Sequence, residues 1–400
     1  MSTPNSWCPV EVVNKTGVDI TAVTLKHRYD TDHYDEKTWP QIQNGAAAGG
    51  LEVGFWTGFL RTGKDYWQIF FSWSGASYTC KDNFYCFLTK DDVGGLVRIE
   101  LTLSNMQVMP PKSSSCNVSL QVSGFPTANK ADGFYNIAHM VNTTAAVAWA
   151  IGYGANALEG DLNFDSAGNP TVYKHGGAVS DCTCIPSPSK YNVCSVVSKD
   201  SETPAAEWLK FVAAQPGVAL HIVDTKMTDG VDQEAAGKAV VDLLDRELFE
   251  KGYNGNVIVG VGETKYIRYI KAAAEQAATS KYADRISFTF DGEQKDYQNV
   301  FAGLNQVGNR RVYGTGITVC LPATYYDAIQ AGCVQEHRVA QGLTYIWTLD
   351  SESSMETYLQ LGARGIMTNT PSVLGGLLNK YGLPLAQPST LIPKATTPLP

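Results

Sequence analysis

From Gly133 to about residue 380 one alternation recurs: eight short apolar stretches, with amphipathic helical segments between several of them. The apolar stretches are 134–140, 157–164, 218–226, 257–261, 286–291, 312–317, 344–350 and 365–369. In 232–251, Ala236, Val240, Val241, Leu244, Leu248 and Phe249 fall on one face at helical spacing,. Strands that alternate with helices pair in parallel. Eight such units over this length predict an α/β fold of the (β/α)8 TIM-barrel type, which takes about 250 residues and gathers its chemistry at the C-terminal ends of the strands.

The first 125 residues read differently. Short strands at 10–13, 20–27, 66–73 and 96–103 are separated by Gly, Asn and Asp, and no helical period is present,. Trp7, Trp39, Trp56, Trp67 and Trp73 fall in this part. The expectation is a small all-β sandwich over 1–125, an accessory domain whose aromatics form its core, with a lipid- or glycan-facing patch as the alternative. The catalytic barrel is expected over 126–383. The Pro-, Thr- and Ser-rich residues 384–400 cannot build a core of their own and are expected to be a mobile tail,.

Composition narrows the function. Lys and Arg number 31 against 39 Asp and Glu, a net charge of −8, the wrong sign for holding phosphate backbones, so no nucleic-acid partner is expected. The uncharged run 134–158 is broken by Asn136, His139, Asn142, Thr143, Thr144 and Asn156, so it is not a membrane span,. The N-terminus has neither the basic head nor the apolar stretch of a signal peptide,. Nine cysteines permit disulfides and leave at least one thiol over; around Cys182, Cys184 and Cys194 no histidine has finger-like spacing, which favours disulfides over zinc,. Three Asn-x-Ser/Thr triplets, at Asn14, Asn117 and Asn142, settle nothing about secretion,.

Polar groups stand at the ends of the first three apolar stretches: His139, then Glu159 and Asp161, then Asp224 and Lys226. Side chains alternate along a strand, so Glu159 and Asp161 share a face, as do Asp224 and Lys226. Three converging carboxylates repel one another unless a cation intervenes, and an oxygen-only ligand set suits Mg²⁺. Lys226 can neutralise part of the remaining charge or bind a phosphate oxygen. His175, in Lys174-His175-Gly176-Gly177 after the second stretch, adds a second imidazole, so that an acid and a base titrate near neutrality,. His221, which alternates away from Asp224's face, and His337 are assigned no role. The glycine-containing stretch 260–265 lacks the endings of a nucleotide loop and reads as a strand-to-helix turn,.

These residues stand in motifs that resemble the sphingomyelinase D/phospholipase D family: His139-Met140-Val141-Asn142, Ala155-Asn156-Ala157-Leu158-Glu159-Gly160-Asp161, His175-Gly176 and Val223-Asp224-Thr225-Lys226. Tyr345 to Asp350 and Leu361 to Pro371 extend the resemblance. Related glycerophosphodiester phosphodiesterases typically have His-Arg-Gly and His-Asp where this sequence has His-Met-Val and His-Gly.

The resemblance implies a catalytic pair, His139 and His175, with acid and base not assigned between them. It also implies Mg²⁺ ligands Glu159, Asp161 and Asp224, and supporting roles for Lys226, Trp347, Asp350 and Asn369. It pairs Cys182 with Cys194 and Cys184 with Cys320, leaving Cys333 free. Two departures bear on His175: Thr183 replaces an acidic residue between the loop cysteines, and the loop is longer, which makes Asp181 a candidate support. The implied activity is a lyase that releases choline or ethanolamine from sphingophospholipids or lysophospholipids as a cyclic phosphate forms, with peripheral contact to a membrane surface and an extracellular location. The alternatives are a glycerophosphodiester hydrolase and a non-catalytic lipid-binding or membrane-damaging protein. For the first 125 residues only a weak likeness to the small lipid-binding sandwiches of fungal cytolysins is seen.

Overall fold

The computed structural model describes residues 4–30, 33–58, 63–124, 133–176, 192–198, 201–293 and 296–400. The chain divides into two compact units, Met1–Pro126 and Thr127–Pro400.

Among its described residues the first unit contains nine strands: β1 (Ser6–Asn14), β2 (Ile20–Tyr29), β3 (His33–Ile42), β4 (Ala47–Phe55), β5 (Asp65–Trp73), β6 (Ala76–Cys80), β7 (Val97–Leu101), β8 (Asn105–Met109) and β9 (Cys116–Ser123). They form one hydrogen-bonded path, β3-β2-β5-β6-β9-β8-β7-β1-β4. The path is continuous because β9 pairs with β8 through 116–119 and with β6 through 120–123. All neighbours are antiparallel except β1 and β7. β3 escapes a hydrophobicity pattern because it ends the path: it carries charges on its open side and Pro40, which an edge strand tolerates,. Trp39, Trp56, Trp67 and Trp73 are core residues and Trp7 is exposed. Cys86 and Cys116 form a disulfide, whereas Cys8 and Cys80 are buried free thiols. Asn14 is fully buried, its amide donating to the Val18 and Ile42 carbonyls.

The second unit has the expected eight parallel strands: β10 (Tyr135–Ala138), β11 (Ala157–Phe164), β14 (Leu220–Thr225), β15 (Asn256–Val261), β16 (Ile286–Phe290), β17 (Tyr313–Gly316), β18 (Thr344–Trp347) and β19 (Gly365–Thr368). They run in the order β16-β15-β14-β11-β10-β19-β18-β17. A parallel bridge between Phe288 and Arg311 joins the two ends, so the sheet closes into a barrel. A hairpin strand, β12 (Pro170–Tyr173), pairs antiparallel with β11 and with the short β13 (Thr203–Pro204). Helices α1 (Thr144–Gly152), α2 (Ala205–Ala213), α3 (Gln233–Glu247), α4 (Ile267–Thr279), α5 (Tyr297–Asn305), α6 (Tyr326–His337), α7 (Glu352–Leu361) and α8 (Pro371–Lys380) intervene between strands or follow the last. Of the predicted helical face within 232–251, Ala236, Val240, Val241 and Leu244 are buried on α3 and Leu248 and Phe249 just beyond its end; Asp232 caps the helix by accepting from the Glu234 and Ala235 amides,.

The barrel interior is filled by Tyr135, Ile137, Leu220, Ile222, Ile258, Val312, Leu343, Tyr345 and Met367. Ala386 and Ile392 belong to the same cluster, and this corrects the reading of 384–400 as mobile. Those residues cannot make a core, but they complete one that exists. Asn256 donates to the Thr390 carbonyl and accepts from the Ile392 amide, Arg311 donates to the Thr397 carbonyl, and Asn305 brackets Leu399. Among the described residues no helix is long and apolar enough to cross a membrane.

His221 shows how strictly strand alternation sorts side chains. It is fully buried on the outer face of β14, where its Nε2 meets the Tyr173 hydroxyl at 2.8 Å and its ring packs on Trp208. Burial pushes its pKa down to about 3, so the fold holds it neutral while the unfolded chain takes up a proton near the ordinary value of about 6.5. Its contribution is complete above that value and is lost as pH falls toward 3. Between about pH 7.5 and 5.5 the barrel should lose about 1.4 kcal/mol more than a His221→Gln variant in urea unfolding. Equal losses would show that the imidazole titrates alike in both states.

Candidate active site

The C-terminal ends of the strands surround a cavity of about 320 Å³ lined by His139, Glu159, His175, Asp224, Lys226, Asp291 and Trp347, among others. Asp161 on β11 stands directly opposite Asp224 on β14 in the parallel register, and Glu159 lies two residues earlier on the same face as Asp161. One carboxylate oxygen from each of Glu159, Asp161 and Asp224 falls within 4.8 Å of the others. Glu159 and Asp161 are buried.

Each carboxylate is held by neighbours. The Met140 amide donates to Glu159 Oε2 at 2.7 Å, from a residue with φ of 53°. That left-handed backbone is costly for methionine and persists here because the turn after β10 is tied to β11 through this bond and through the Val141 amide, which donates to the Glu159 carbonyl,. The other oxygen, Glu159 Oε1, is buried with no hydrogen-bond partner among the described residues. Asp161 accepts from the Asn142 amide nitrogen at 2.5 Å, and Asn142 Oδ1 accepts from the Asp161 main chain. Lys226 Nζ lies 2.7 Å from Asp161 and 2.6 Å from Asp224.

Burial drives the Glu159 carboxyl well above its usual pKa, reinforced by the charges of Asp161 and Asp224. Burial also opposes ionisation of Asp161, but Lys226 and His175 prevail and hold its pKa well below the carboxylate range. Lys226, despite burial, is held well above the usual lysine value by the same carboxylates. A buried, charge-crowded carboxylate with an unsatisfied oxygen is what a divalent cation would relieve, so the residues present fit a hard, oxygen-liganded metal.

The two histidines reach the cavity from different elements. His139 follows β10, and its Nδ1 lies 2.9 Å from Asn369 Oδ1. Asn369 follows β19; both its main-chain and side-chain nitrogens donate to Asp350, at 2.8 and 3.0 Å. Asp350 therefore sets the amide so that its oxygen faces His139, which must carry a proton on Nδ1 and, when neutral, its lone pair on Nε2. His175 is delivered by the β12 hairpin, where the Lys174 amide donates to the Asp161 carbonyl, and its Nδ1 lies 3.3 Å from both Asp161 carboxylate oxygens. The contact that supports His175 among the described residues is thus with Asp161; Asp181 and Thr183 lie outside them. So do Cys182 and Cys184, although Cys194 and Cys320 are each disulfide-bonded and Cys333 is a buried free thiol.

Four contributors were not assigned from the sequence. Asn142 was read only as part of a motif and of a glycosylation triplet, yet it is buried against Asp161. Asp291, at the end of the fifth barrel strand, accepts from the Tyr345 hydroxyl at 2.6 Å, and its main-chain carbonyl accepts from Trp347 Nε1 at 2.7 Å. Burial, with the Asp224 charge nearby, pushes its pKa up to about 7. Gly260 leaves the room: a Cβ there would stand 2.9 Å from Thr289 and 3.3 Å from the Asp291 carboxylate. The strand-end rule points to Asp291; nothing local points to Tyr345, whose hydroxyl is aimed by the closure of the barrel.

Comparisons with known proteins agree with the motifs. Residues 129–383 match the family model described as dermonecrotic toxin SPH, and residues 4–122 match one described as up-regulated in long-lived daf-2. Dermonecrotic toxin Hl-PLD1 of Hemiscorpius lepturus is 26% identical over 268 residues, 63% of this chain and 81% of the toxin. Dermonecrotic toxin LdSicTox-alphaIB3av of Loxosceles deserta is 29% identical over 257 residues, 60% of this chain and 90% of the toxin. Among solved structures, a glycerophosphoryl diester phosphodiesterase from Silicibacter pomeroyi, assigned as putative, aligns with a TM-score of 0.45 at 14% identity, covering 66% of this chain and all of that one. The family model spans well over half of the chain, including every strand of the barrel, and the chain therefore belongs to the dermonecrotic toxin SPH family, the sphingomyelinase D/phospholipase D family that its motifs resemble.

Proposed function

We propose that the barrel is a metal-dependent, phospholipase D-type phosphodiester lyase that releases choline or ethanolamine from sphingophospholipids or lysophospholipids, and that the N-terminal unit is an accessory domain. The observation that carries this reading is that His139, His175, Glu159 and Asp224 line one cavity, with Asp161 completing the carboxylate cluster beside it.

A Mg²⁺ held by Glu159, Asp161 and Asp224 would supply Lewis-acid stabilisation of a non-bridging phosphate oxygen. Lys226, fixed between Asp161 and Asp224, adds a positive charge on the same side of the cavity,. His139, protonated on Nδ1 by its contact with Asn369, offers Nε2 to take the proton of the lipid's own hydroxyl,. The hydroxyl oxygen bonds to phosphorus as the bond from phosphorus to the head-group oxygen breaks, and His175 gives that oxygen a proton. The products are a cyclic phosphate and the free amino alcohol, with no water consumed.

The test is ³¹P NMR of the full chain with sphingomyelin, ceramide phosphoethanolamine and the corresponding lysolipids, each with Mg²⁺ and with chelator. A cyclic phosphate signal that the chelator abolishes is expected. An open monoester would move the assignment to hydrolysis, and no turnover of any lipid would overturn the catalytic reading.

A further inference from the structure

In the N-terminal unit, residues 81–96 connect β6 to β7 and present an apolar row that the unit's own core does not use. Phe84, Cys86 and Leu88 point inward, whereas Tyr85 and Phe87 between them are 42% and 45% exposed. Val93 and Leu96 follow at 46% and 44%. Isolated exposed hydrophobes need no explanation, but Tyr85 meets both Phe87 and Tyr66, and a cluster of exposed rings marks an interface,.

The exposure does not come from a loosely held loop. The Cys86–Cys116 disulfide ties it to β9. The Cys86 amide donates to the Asp65 carbonyl at 3.0 Å, and the Leu88 amide to the Asp65 carboxylate at 2.8 Å. Buried Asp92 accepts from the amides of Thr89, Lys112 and Ser113 at 2.8–2.9 Å. Extended chain held in this way must alternate, so inward Phe84, Cys86 and Leu88 force Tyr85 and Phe87 out.

The exposed rings form a surface with cations built into it. Tyr85 meets Phe87 and Tyr66 edge-on, at centroid distances of 5.2 and 6.2 Å. Lys64 Nζ stands 4.3 Å above the Tyr85 ring and Arg28 Cζ 4.1 Å above that of Tyr66. Cations on ring faces are placed to meet phosphate groups, uncovered ring faces accept quaternary ammonium, and Tyr, Phe, Val and Leu side chains fit the boundary between head groups and acyl chains. That combination matches a surface offering phosphate, ammonium and hydrocarbon together.

We propose that the 85–96 loop, with Tyr66, Lys64 and Arg28, docks this protein on a zwitterionic phospholipid surface. The inference rests on the accessory role given above to the N-terminal unit and not on the chemistry of the barrel. It is tested by flotation of the full chain with phosphatidylcholine–sphingomyelin vesicles in EDTA, so that turnover does not intrude. The wild-type chain should float. A Tyr85→Ser/Phe87→Ser double variant should bind about tenfold or more weakly, and Lys64→Ala, a milder second arm, severalfold more weakly. The double variant should turn over a monomeric short-chain lysolipid like wild type, and its circular dichroism should be unchanged. Failure of the wild type to float, equal flotation of both variants, or a dimer that the double variant dissolves would overturn the proposal. Normal flotation without turnover of any lipid would instead sink the catalytic reading alone.

Discussion

Replacing His139 by alanine should lower turnover by roughly 10²- to 10⁴-fold, the range of general acid–base catalysis, while binding to lipid vesicles stays at the wild-type level. The same holds for His175→Ala. The reason is positional: the Nδ1 of His139 is fixed through Asn369 to Asp350 and the Nδ1 of His175 lies against Asp161, so the protein orients both imidazoles on the cavity they line,. Steady-state rates on the substrate identified by ³¹P NMR, beside vesicle binding, check this. Near-normal turnover in both single variants would overturn the assignment; loss of binding in parallel with turnover would point to a structural role.

The second large effect concerns the carboxylate cluster and is read without turnover. Saturating Mg²⁺, at about a hundredfold its dissociation constant, should stabilise the wild-type barrel by about 2.7 kcal/mol, because a ligand that binds only the native state shifts the equilibrium by mass action. Glu159→Gln should abolish that gain. Without metal it should unfold at the same temperature as wild type or higher, since it places a neutral amide where burial and the charges of Asp161 and Asp224 already disfavour an ionised carboxylate,. Thermal unfolding of both proteins with Mg²⁺ and with EDTA decides it. A Mg²⁺ shift that survives in Glu159→Gln would exclude this carboxylate as a ligand.

The cluster itself was legible because strand periodicity is local. Glu159 and Asp161 share a face whatever the rest of the chain does, and the parallel register then sets Asp224 beside Asp161,. His221, three residues before Asp224, illustrates the same rule in reverse: it goes to the outer face and pairs with Tyr173. Asn142 and Tyr345 were not legible: Asn142 reaches Asp161 through the turn after β10, whose course no strand period sets, and Tyr345 reaches Asp291 across strands that only the closed barrel brings together. The C-terminal residues misled for a related reason: composition reports whether a segment can form a core, not whether it can dock on one.

By itself the sequence determined the succession of strands and helices in the barrel and the strand ends that carry ionisable groups, and its ordered motifs pointed to the family. All of these depend on spacing along the chain, where side-chain direction repeats with a fixed period. Tertiary structure decided which groups actually meet: Asp350 through Asn369 to His139, Asp161 with His175 and Asn142, the last seventeen residues with the barrel core, and Cys86 with Cys116. Those contacts join residues from about 14 to 250 positions apart, and which of them form follows from how the barrel closes and what it buries, terms that no local pattern contains,.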